Sequence, residues 1–451
     1  MELSARQTPY HLIFLISILI IQHFSPVNSI GVNYGTLGDN LPPPAQVAAF
    51  IKDRTIIDRV KIFDTNPDIL RAFANTGISV TVTVPNGEVP GLANPRIARR
   101  WVATHIKPFY PQTKINFILM GSELLHWGDN NMISHLVPAM QMLHHALVLA
   151  GMRDVKVTTA HSLGILASSF PPSAGRFRPG LDRQVIAPML KFLRETRSPF
   201  MVNPYPYFGY NPKDANFVLF RGNRGKRDRF TGKVYTNMYD SLMDSVFSAM
   251  KSLGYGDVNI AVGETGWPSM GEPWLTHCTI ENARWHNLNV FRKAISGVGT
   301  PLMPRRRFET YIFALFNENQ KPGSLAEKNF GLFRPDFSPV YDIGIMRGGQ
   351  GGVTPRPTPV PVAGKKWCVP RAEASDAALQ ANIDYACSKG LDCRPIQAGG
   401  ACFNPVNVRS HASYIMNTFY QTNGRHDYNC DFAHTGVLTT VNPSYGACRF
   451  I

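Results

Sequence analysis

Eight short, apolar and β-branched segments alternate with helix-like stretches between residues 30 and 345, and this alternation constrains the fold most strongly. The segments lie at residues 31–34, 60–63, 78–84, 115–120, 155–159, 200–203, 258–262 and 311–316. The helix-like stretches lie at 45–52, 96–106, 132–150, 184–194, 239–253 and 281–295. Such alternation is typical of βαβ units, and eight repeats predict an α/β fold, a (β/α)8 TIM barrel. A doubly wound open sheet is the alternative, but no G-x-G-x-x-G loop follows the first segment.

Polar residues cluster where these strands are predicted to end, which is where a barrel carries its active site. The first segment ends in NYG at 33–35, the sixth continues as NPYPYF at 203–208, and the eighth as FNEN at 316–319. Two carboxylates, Glu123 and Glu264, stand just past the fourth and seventh segments. Glycoside hydrolysis requires such a pair, one to protonate the leaving oxygen and one to attack the anomeric carbon or to activate water. Each glutamate alone could merely cap a helix, but the surrounding aromatic residues suit a sugar.

The N-terminus predicts a secretory signal peptide over residues 1–29. Arg6 precedes an apolar run at 12–21, and Val27 and Ser29 place small residues at the −3 and −1 positions of a cleavage site. A buried N-terminal strand or helix is the alternative. No other apolar stretch reaches about 18 residues, and the last residues form no hydrophobic tail. We therefore expect a secreted, extracellular protein without a membrane span or a GPI anchor.

Cysteine placement separates a small C-terminal module at 367–451 from the barrel. Its six cysteines are Cys368, Cys387, Cys393, Cys402, Cys430 and Cys448. In a secreted segment of this size they predict three disulfides, whose pairing the sequence leaves open among fifteen possibilities. A zinc site is the weaker alternative, because no C-x2-C pair occurs. Cys278 is left as a buried or lone thiol, and a linker rich in glycine and alternating prolines spans 346–366.

The chain is basic, with 46 lysines and arginines against 31 acidic residues and a formal net charge of +15. A surplus of this size favours polyanionic partners. Its densest clusters lie in turn-rich segments at 221–229 and 305–307. Neither belongs to a nucleic-acid-binding motif, so we expect no nucleic-acid partner. The clusters are either solvated loops or surfaces that attract acidic wall polymers.

Five strings carry a family resemblance: IGVNYG at 30–35, NPYPYF at 203–208, GETGWPS at 263–269, FALFNEN at 313–319 and NFGLF at 329–333. With them, residues 30–345 resemble glycoside hydrolase family 17, the plant endo-1,3-β-glucanases. The resemblance implies a retaining mechanism with Glu264 as nucleophile and Glu123 as acid/base, their carboxyl groups about 5–5.5 Å apart. It also implies substrate-binding residues, namely Tyr34, Ser122, Tyr205, Tyr207, Phe208, Trp267, Glu318, Lys321 and Glu327.

One position departs from the family pattern, because Ser122 stands where the family usually has asparagine, directly before the acid/base. The asparagine amide donates to the 2-hydroxyl of the sugar, a bond that strengthens in the transition state. Loss of a comparable donor costs about 10²- to 10³-fold in rate. Nearby, Trp127 either stacks on sugar or packs at the rim.

The C-terminal module resembles carbohydrate-binding module family 43. The matching strings are WCV at 367–369, LQ at 379–380, DYAC at 384–387, CF at 402–403, HASY at 411–414, CDF at 430–432 and PSYGAC at 443–448. The resemblance implies binding to β-1,3-glucan through exposed aromatic residues such as Tyr414, Tyr420 or Tyr445, each of which could instead belong to the core.

These features together predict a secreted, monomeric endo-1,3-β-glucanase that hydrolyses callose-like glucan of the cell wall. No H-E-x-x-H motif occurs, and we expect neither a metal nor another cofactor. Ser122 keeps two alternatives open: a catalytically weak glucan-binding wall protein, and a glucan transglycosylase.

Overall fold

The computed structural model describes residues 29–347, 366–371, 373–425, 427–439, 442–445 and 448–450. The chain divides after residue 353 into two compact units, which are described separately below. The predicted signal peptide, except for Ser29, lies outside the described residues. So does the predicted linker, except for residues 346, 347 and 366.

Eight parallel strands close into a barrel, which confirms the predicted (β/α)8 fold and excludes the open sheet. The strands are β1 Gly31–Tyr34, β2 Arg59–Ile62, β3 Ser79–Val84, β4 Lys114–Ser122, β5 Lys156–Ser162, β6 Phe200–Asn203, β7 Ile260–Thr265 and β8 Thr310–Ile312. Each pairs with its neighbours in sequence, and β8 pairs with β1 to close the ring. β8 ends earlier than the apolar run at 311–316 indicated.

Seven main helices accompany the strands: α1 Pro44–Arg54, α2 Pro67–Ala72, α3 Pro95–His105, α4 Asn130–Leu149, α5 Ala187–Thr196, α6 Met238–Ser252 and α7 Ile280–Ser296. Several begin at an asparagine or aspartate whose side chain accepts a backbone N–H of the first turn, as Asn94 and Asp129 do. The sequence did not predict α2, because six residues are too few to show helical periodicity. In the described part of the chain, β8 is followed by a short 3-10 turn, Ala326–Lys328, rather than an eighth α-helix.

Helix α4 is long and apolar enough, by length and composition alone, to cross a membrane. In the structure it is a barrel helix that packs against α3, α5, β4 and β5. Its buried face includes Leu136, Met140 and Leu143. Seven of its apolar residues are buried in this packing.

The inside of the barrel changes from apolar to polar along the strands. Side chains alternate between the two faces of each strand, so every second residue points inward. An interior apolar cluster consists of Phe117, Leu119, Ala160, Met201, Ala261 and Tyr311. On the same inward rows, nearer the carboxyl ends of β1, β2 and β6, lie Asn33, Lys61 and Asn203, all buried. Polar chemistry is therefore concentrated at the end of the barrel where the sequence predicted the active site.

The C-terminal unit has an α+β fold, as predicted. Strand β9, Trp367–Pro370, pairs antiparallel with β10, Gly436–Thr439, and two helices, α8 Asp376–Ser388 and α9 Val408–Thr422, pack together beside them. Three disulfides join Cys368 to Cys430, Cys387 to Cys393, and Cys402 to Cys448. The prediction of three bridges is confirmed, and the structure selects one of the fifteen pairings.

The aromatic residues proposed to bind sugar in this unit require a correction. Tyr420 is 2% exposed and belongs to the core, so it cannot present its ring to a polymer. Tyr414 and Tyr445 are half-buried and pack against Phe450. Two exposed rings of this unit were not singled out by the sequence analysis, those of Tyr385, which is 49% exposed, and Tyr428, which is 38% exposed.

Candidate active site

A cleft of about 610 Å³ opens at the carboxyl ends of the barrel strands. It brings together eight of the residues that the sequence predicted for the site: Ser122, Glu123, Tyr205, Phe208, Glu264, Glu318, Lys321 and Glu327. Trp127 also lines the cleft, with 73% of its surface exposed. The cleft therefore combines acidic side chains with aromatic walls.

Glu264 is a buried carboxylate held at both oxygens. It lies within β7 rather than past its end, and 8% of the residue is exposed. The ammonium of Lys61 donates to Oε1 at 2.7 Å, and the hydroxyl of Tyr205 donates to Oε2 at 3.0 Å. The ammonium of Lys61 is therefore a direct ion-pair partner of this carboxylate. Removing one partner of a buried ion pair typically costs about 3–5 kcal/mol of stability, so the two charges are structurally dependent on each other.

Glu123 occupies a tight corner directly after β4. Its backbone is left-handed, with φ 52°, and its N–H donates to the carbonyl of Ala160 on β5. The amide of Asn203 donates to Oε1 at 2.9 Å, and the indole of Trp127 donates to Oε2 at 3.2 Å. Burial, followed by the negative charge of Glu264, raises the pKa of Glu123 against the opposing effect of these hydrogen bonds.

The two carboxyl groups thus have opposite electrostatic surroundings in one cleft. Glu123 is held towards its protonated form by burial and by a neighbouring anion. Glu264 contacts a buried cation. A pair of carboxyl groups in one cleft can cleave a glycosidic bond, the first as proton donor and the second as nucleophile.

Asn86 fixes the backbone before Glu123. Its side-chain amide donates to the carbonyl of Ser122 at 3.1 Å and accepts the N–H of Ser122 at 2.8 Å. The preceding Gly121 has φ 74°, and a Cβ there would lie 2.7 Å from Oδ1 of Asn86. The clamp therefore requires glycine at 121, and it engages the peptide groups of Ser122 rather than its hydroxyl.

A second acidic group lies on the β8 side of the cleft. Glu318 accepts the N–H of Leu37 at 2.8 Å, and burial raises the pKa of its carboxyl group. A Cβ on Gly35 would lie 2.3 Å from Oε1 of Glu318, so only glycine permits this close approach. Lys321 and Glu327 form an ion pair at 3.2 Å. These groups match the charged cluster that the resemblance implied beside the cleft.

Three residues predicted to bind substrate do not line the cleft. Trp267 is fully buried behind the cleft. Its indole N–H donates to the carbonyl of His277 at 2.9 Å. Tyr34, 2% exposed, packs edge-on to Phe316. Tyr207, 8% exposed, packs against Trp267 and receives a hydrogen bond from the Cys278 thiol. We correct these three from sugar-contacting residues to supports behind the site.

Three residues with clear contacts were missed by the sequence analysis: Lys61, Asn86 and Asn203. The sequence could have indicated Lys61, because a lysine on the inward row of an apolar strand needs a polar partner at the barrel mouth. Asn203 lay within a strand-end string but received no role. Asn86 follows β3 after one proline, and nothing local in the sequence indicates that it reaches the β4 corner.

Part of the excess positive charge is engaged within the barrel unit. Lys226 pairs with Asp214 at 2.7 Å, and Arg221 pairs with Glu281 at 3.2 Å. Arg306 donates to backbone carbonyls, including that of Val258. Both basic clusters therefore have local structural contacts, and neither lines the cleft. Within the described residues, no group of three or more His, Cys, Asp or Glu side chains is arranged to hold a metal ion.

Comparison with known proteins gives a consistent result for both units. The family model described as Glycosyl hydrolases family 17 matches residues 30–345, and that of the X8 domain matches residues 366–437. A glucan endo-1,3-beta-glucosidase of Triticum aestivum is 49% identical over 442 residues, 95% of each chain. A glucan endo-1,3-beta-D-glucosidase of Olea europaea is 44% identical and covers 97% of each.

Solved structures resemble the chain at a comparable level. A beta-1,3-glucanase and allergen of Cryptomeria japonica pollen superposes with a TM-score of 0.67 at 42% identity, covering 71% of this chain and 99% of that one. One of two plant beta-glucan endohydrolases with distinct substrate specificities gives a TM-score of 0.64 at 37% identity, covering 69% and 99%.

Proposed function

The chain belongs to glycosyl hydrolase family 17, and from this membership and the geometry of its cleft we propose that it is a retaining endo-1,3-β-glucanase. Its substrate would be the internal bonds of callose-like β-1,3-glucan. The observation that carries the proposal is the pair of carboxyl groups with opposite surroundings, Glu123 with a raised pKa and Glu264 against Lys61.

In the first half of the reaction, an oxygen of Glu264 attacks the anomeric carbon. The bond from that carbon to the bridging oxygen breaks, and its electron pair goes to the oxygen, which takes the proton of Glu123. Tyr205 and Lys61 hold the attacking carboxylate in place. The product is a neutral ester between Glu264 and the sugar.

In the second half, Glu123 acts as base. It removes a proton from water as the water attacks the anomeric carbon, and the ester bond breaks to return its electron pair to Glu264. Asn203 and Trp127, which donate to Glu123, orient the carboxylate for this step. A sugar hydroxyl in place of water would give transglycosylation by the same route.

Replacing Ser122 with asparagine is expected to raise kcat on β-1,3-glucan by about 10²-fold. Asn86 holds only the peptide groups of residue 122, so the new amide remains free to donate towards the 2-hydroxyl of a bound sugar. The measurement compares new reducing ends and the lengths of the products for wild type and Ser122→Asn. Ser122→Ala is the matched control, and an unchanged kcat in Ser122→Asn would contradict the reasoning.

The same product analysis separates the proposed function from its two alternatives. Shorter oligomers alone indicate hydrolysis, and products longer than the substrate indicate transglycosylation. If wild type binds glucan but gives no new reducing ends, the barrel acts as a glucan-binding scaffold. Rescue of that inactive chain by Ser122→Asn would assign the loss to the serine.

The X8 domain supplies a second carbohydrate-binding surface, and we propose β-1,3-glucan as its ligand. Three disulfides stabilise this unit, whose core is small. Its exposed Tyr385 offers a ring on which a sugar face can stack. A binding module on a tether keeps an enzyme at an insoluble polymer by raising the effective concentration. Removing residues 367–451 should therefore weaken retention on insoluble glucan while sparing turnover of short soluble oligomers.

We propose that the protein acts outside the cell, at the cell wall, as a monomer. The disulfides are suited to an oxidising compartment. The formal net charge of +15 favours retention by acidic wall polymers. Elution from isolated walls by high salt tests this attraction, because screening weakens charge contacts and leaves glucan binding largely intact.

A further inference from the structure

Lys61 is a fully buried cation directly beside the proposed nucleophile. Neither the family resemblance nor the strand-end pattern assigned it a role. It lies on the inward row of β2, its side chain is 0% exposed, and its ammonium is 2.7 Å from Oε1 of Glu264 and 4.0 Å from the centroid of the Phe63 ring. An ammonium without access to water is stable only where a negative charge faces it. The position therefore requires an anion nearby at every stage of a reaction.

We propose that Lys61 is the fixed counter-charge of both active-site carboxyl groups, pairing first with Glu264 and then, through space, with Glu123. This inference rests on the proposed double displacement. Lys61 touches no substrate atom in this account, and it acts as a positioning residue through the two carboxyl groups.

Charge balance through the reaction supports this role. Before attack, Glu264 is an anion and Glu123 carries the proton, so the three groups sum to zero. When the ester forms, Glu264 becomes neutral, and Glu123 becomes an anion because its proton has left with the alcohol. Lys61 transfers no proton in either step, so the sum is again zero. A buried site that never changes its net charge avoids the desolvation cost of an unpaired ion.

Lys61 also acts electrostatically on Glu123, without a direct contact. The charge of Lys61 lowers the pKa of Glu123, while burial and the charge of Glu264 raise it. Loss of the Glu264 charge in the ester therefore leaves Glu123 with the cation and without the opposing anion. This loss favours the anionic form of Glu123, which is the base that the second step needs.

Other charged groups around the cleft are already engaged or lie farther along it. Those that influence Glu264, Tyr205 or Glu123 electrostatically, or line the same cleft, are Glu318, Glu327, Lys321 and Asp64. Lys321 pairs with Glu327 at 3.2 Å, and Glu318 accepts the N–H of Leu37. Asp64 accepts the N–H of Asn66. Among the ion pairs of the described residues, only that of Lys61 includes one of the two proposed catalytic carboxylates.

The kinetic test compares wild type, Lys61→Met and Lys61→Arg on a soluble β-1,3-gluco-oligosaccharide across pH. Methionine keeps the length of the side chain and removes its charge. We expect Lys61→Met to lower kcat/KM by about 10²- to 10³-fold and to move the acidic limb of the profile upward by about 1–3 pH units. Lys61→Arg should keep the limb within about half a pH unit of wild type. An acidic limb that stays in place in Lys61→Met overturns the proposal.

The second carboxyl group is tested with an aryl β-glycoside whose leaving group needs no acid. The first step then proceeds without a proton from Glu123, and breakdown of the ester limits turnover. We expect Lys61→Met to accumulate the glycosyl-enzyme at pH 5, detected by mass spectrometry of the intact protein, more than wild type does. Equal accumulation in the two proteins would remove Glu123 from the proposal.

A double-mutant cycle in thermal stability gives a readout that does not depend on activity. Lys61→Met, Glu264→Gln and the double variant are melted between pH 4 and pH 8. Each single variant leaves one buried charge without its partner, so each should have a lower melting temperature than the double variant. The loss of melting temperature in Lys61→Met should become smaller as pH falls. Additive effects overturn the ion-pair role even if the wild type is active. Strong coupling in a wild type that does not hydrolyse glucan would instead overturn the proposed function.

Discussion

Replacing Glu264 with glutamine is expected to lower kcat on β-1,3-glucan by on the order of 10⁴-fold or more, because no other group is positioned to form the ester to the sugar. Glutamine has nearly the same shape, and Tyr205 can still donate to its oxygen. The loss therefore reports the missing nucleophile rather than a collapsed cleft. Release of reducing ends from soluble glucan at saturating concentration is the measurement.

Two controls separate chemistry from stability in this experiment. Glu264→Gln leaves Lys61 buried without a carboxylate, which weakens the fold. The Lys61→Met/Glu264→Gln double variant has no stranded charge, and it should be equally inactive. Glu327→Gln alters another carboxylate of the same cleft, paired with Lys321, and should cost no more than about 10-fold. Glu264→Gln activity within tenfold of wild type is incompatible with the assigned role.

Replacing Glu123 with glutamine is expected to lower turnover of glucan by about 10²- to 10⁴-fold and to spare the first step on an activated aryl glycoside. A sugar alcohol is a poor leaving group without a proton, whereas a dinitrophenolate leaves unaided. Added azide should restore turnover of the activated substrate, because an anionic nucleophile needs no base. The glycosyl azide formed is measured directly, and failure of azide to rescue would argue against Glu123 as the base.

The pH profile gives Glu123 a second signature. Burial and the charge of Glu264 raise the pKa of Glu123 above 4.5, so its acid form persists to higher pH than for an exposed glutamate. Hydrolysis of glucan needs the protonated form, so activity should fall as pH rises through that raised pKa. On the activated substrate, whose first step needs no proton from Glu123, this alkaline limb should be absent in wild type. A limb that remains would belong to another group.

The barrel could be predicted because its information is local and repeated. A short apolar, β-branched run indicates a strand, and eight such strands separated by helical patterns leave few topologies. β1 and β6 were predicted to the residue. β8 was predicted too long, because the apolar residues after Ile312 pack in the core without continuing the ladder.

The site was only partly predictable, because its contacts join residues that are distant in the sequence. A strand end places a residue at the barrel mouth but does not say which way the chain then turns. Glu123 and Glu264 point into the cleft, whereas Trp267, three residues beyond Glu264, points away from it and is fully buried. Lys61 and Asn86 depend on contacts between strands distant in sequence, which no single segment records. Disulfide pairing likewise depends on which distant segments meet in the fold.

The anomeric configuration of the first product tests the central claim most directly. Proton NMR of a β-1,3-gluco-oligosaccharide, begun at once after wild-type enzyme is added, resolves the two anomers before they equilibrate in solution. Double displacement through Glu264 inverts the anomeric carbon twice, so we expect the β-anomer to form first and the α-anomer to appear only by slow mutarotation. Initial formation of the α-anomer would contradict it, because a single displacement by water leaves Glu264 no role as nucleophile.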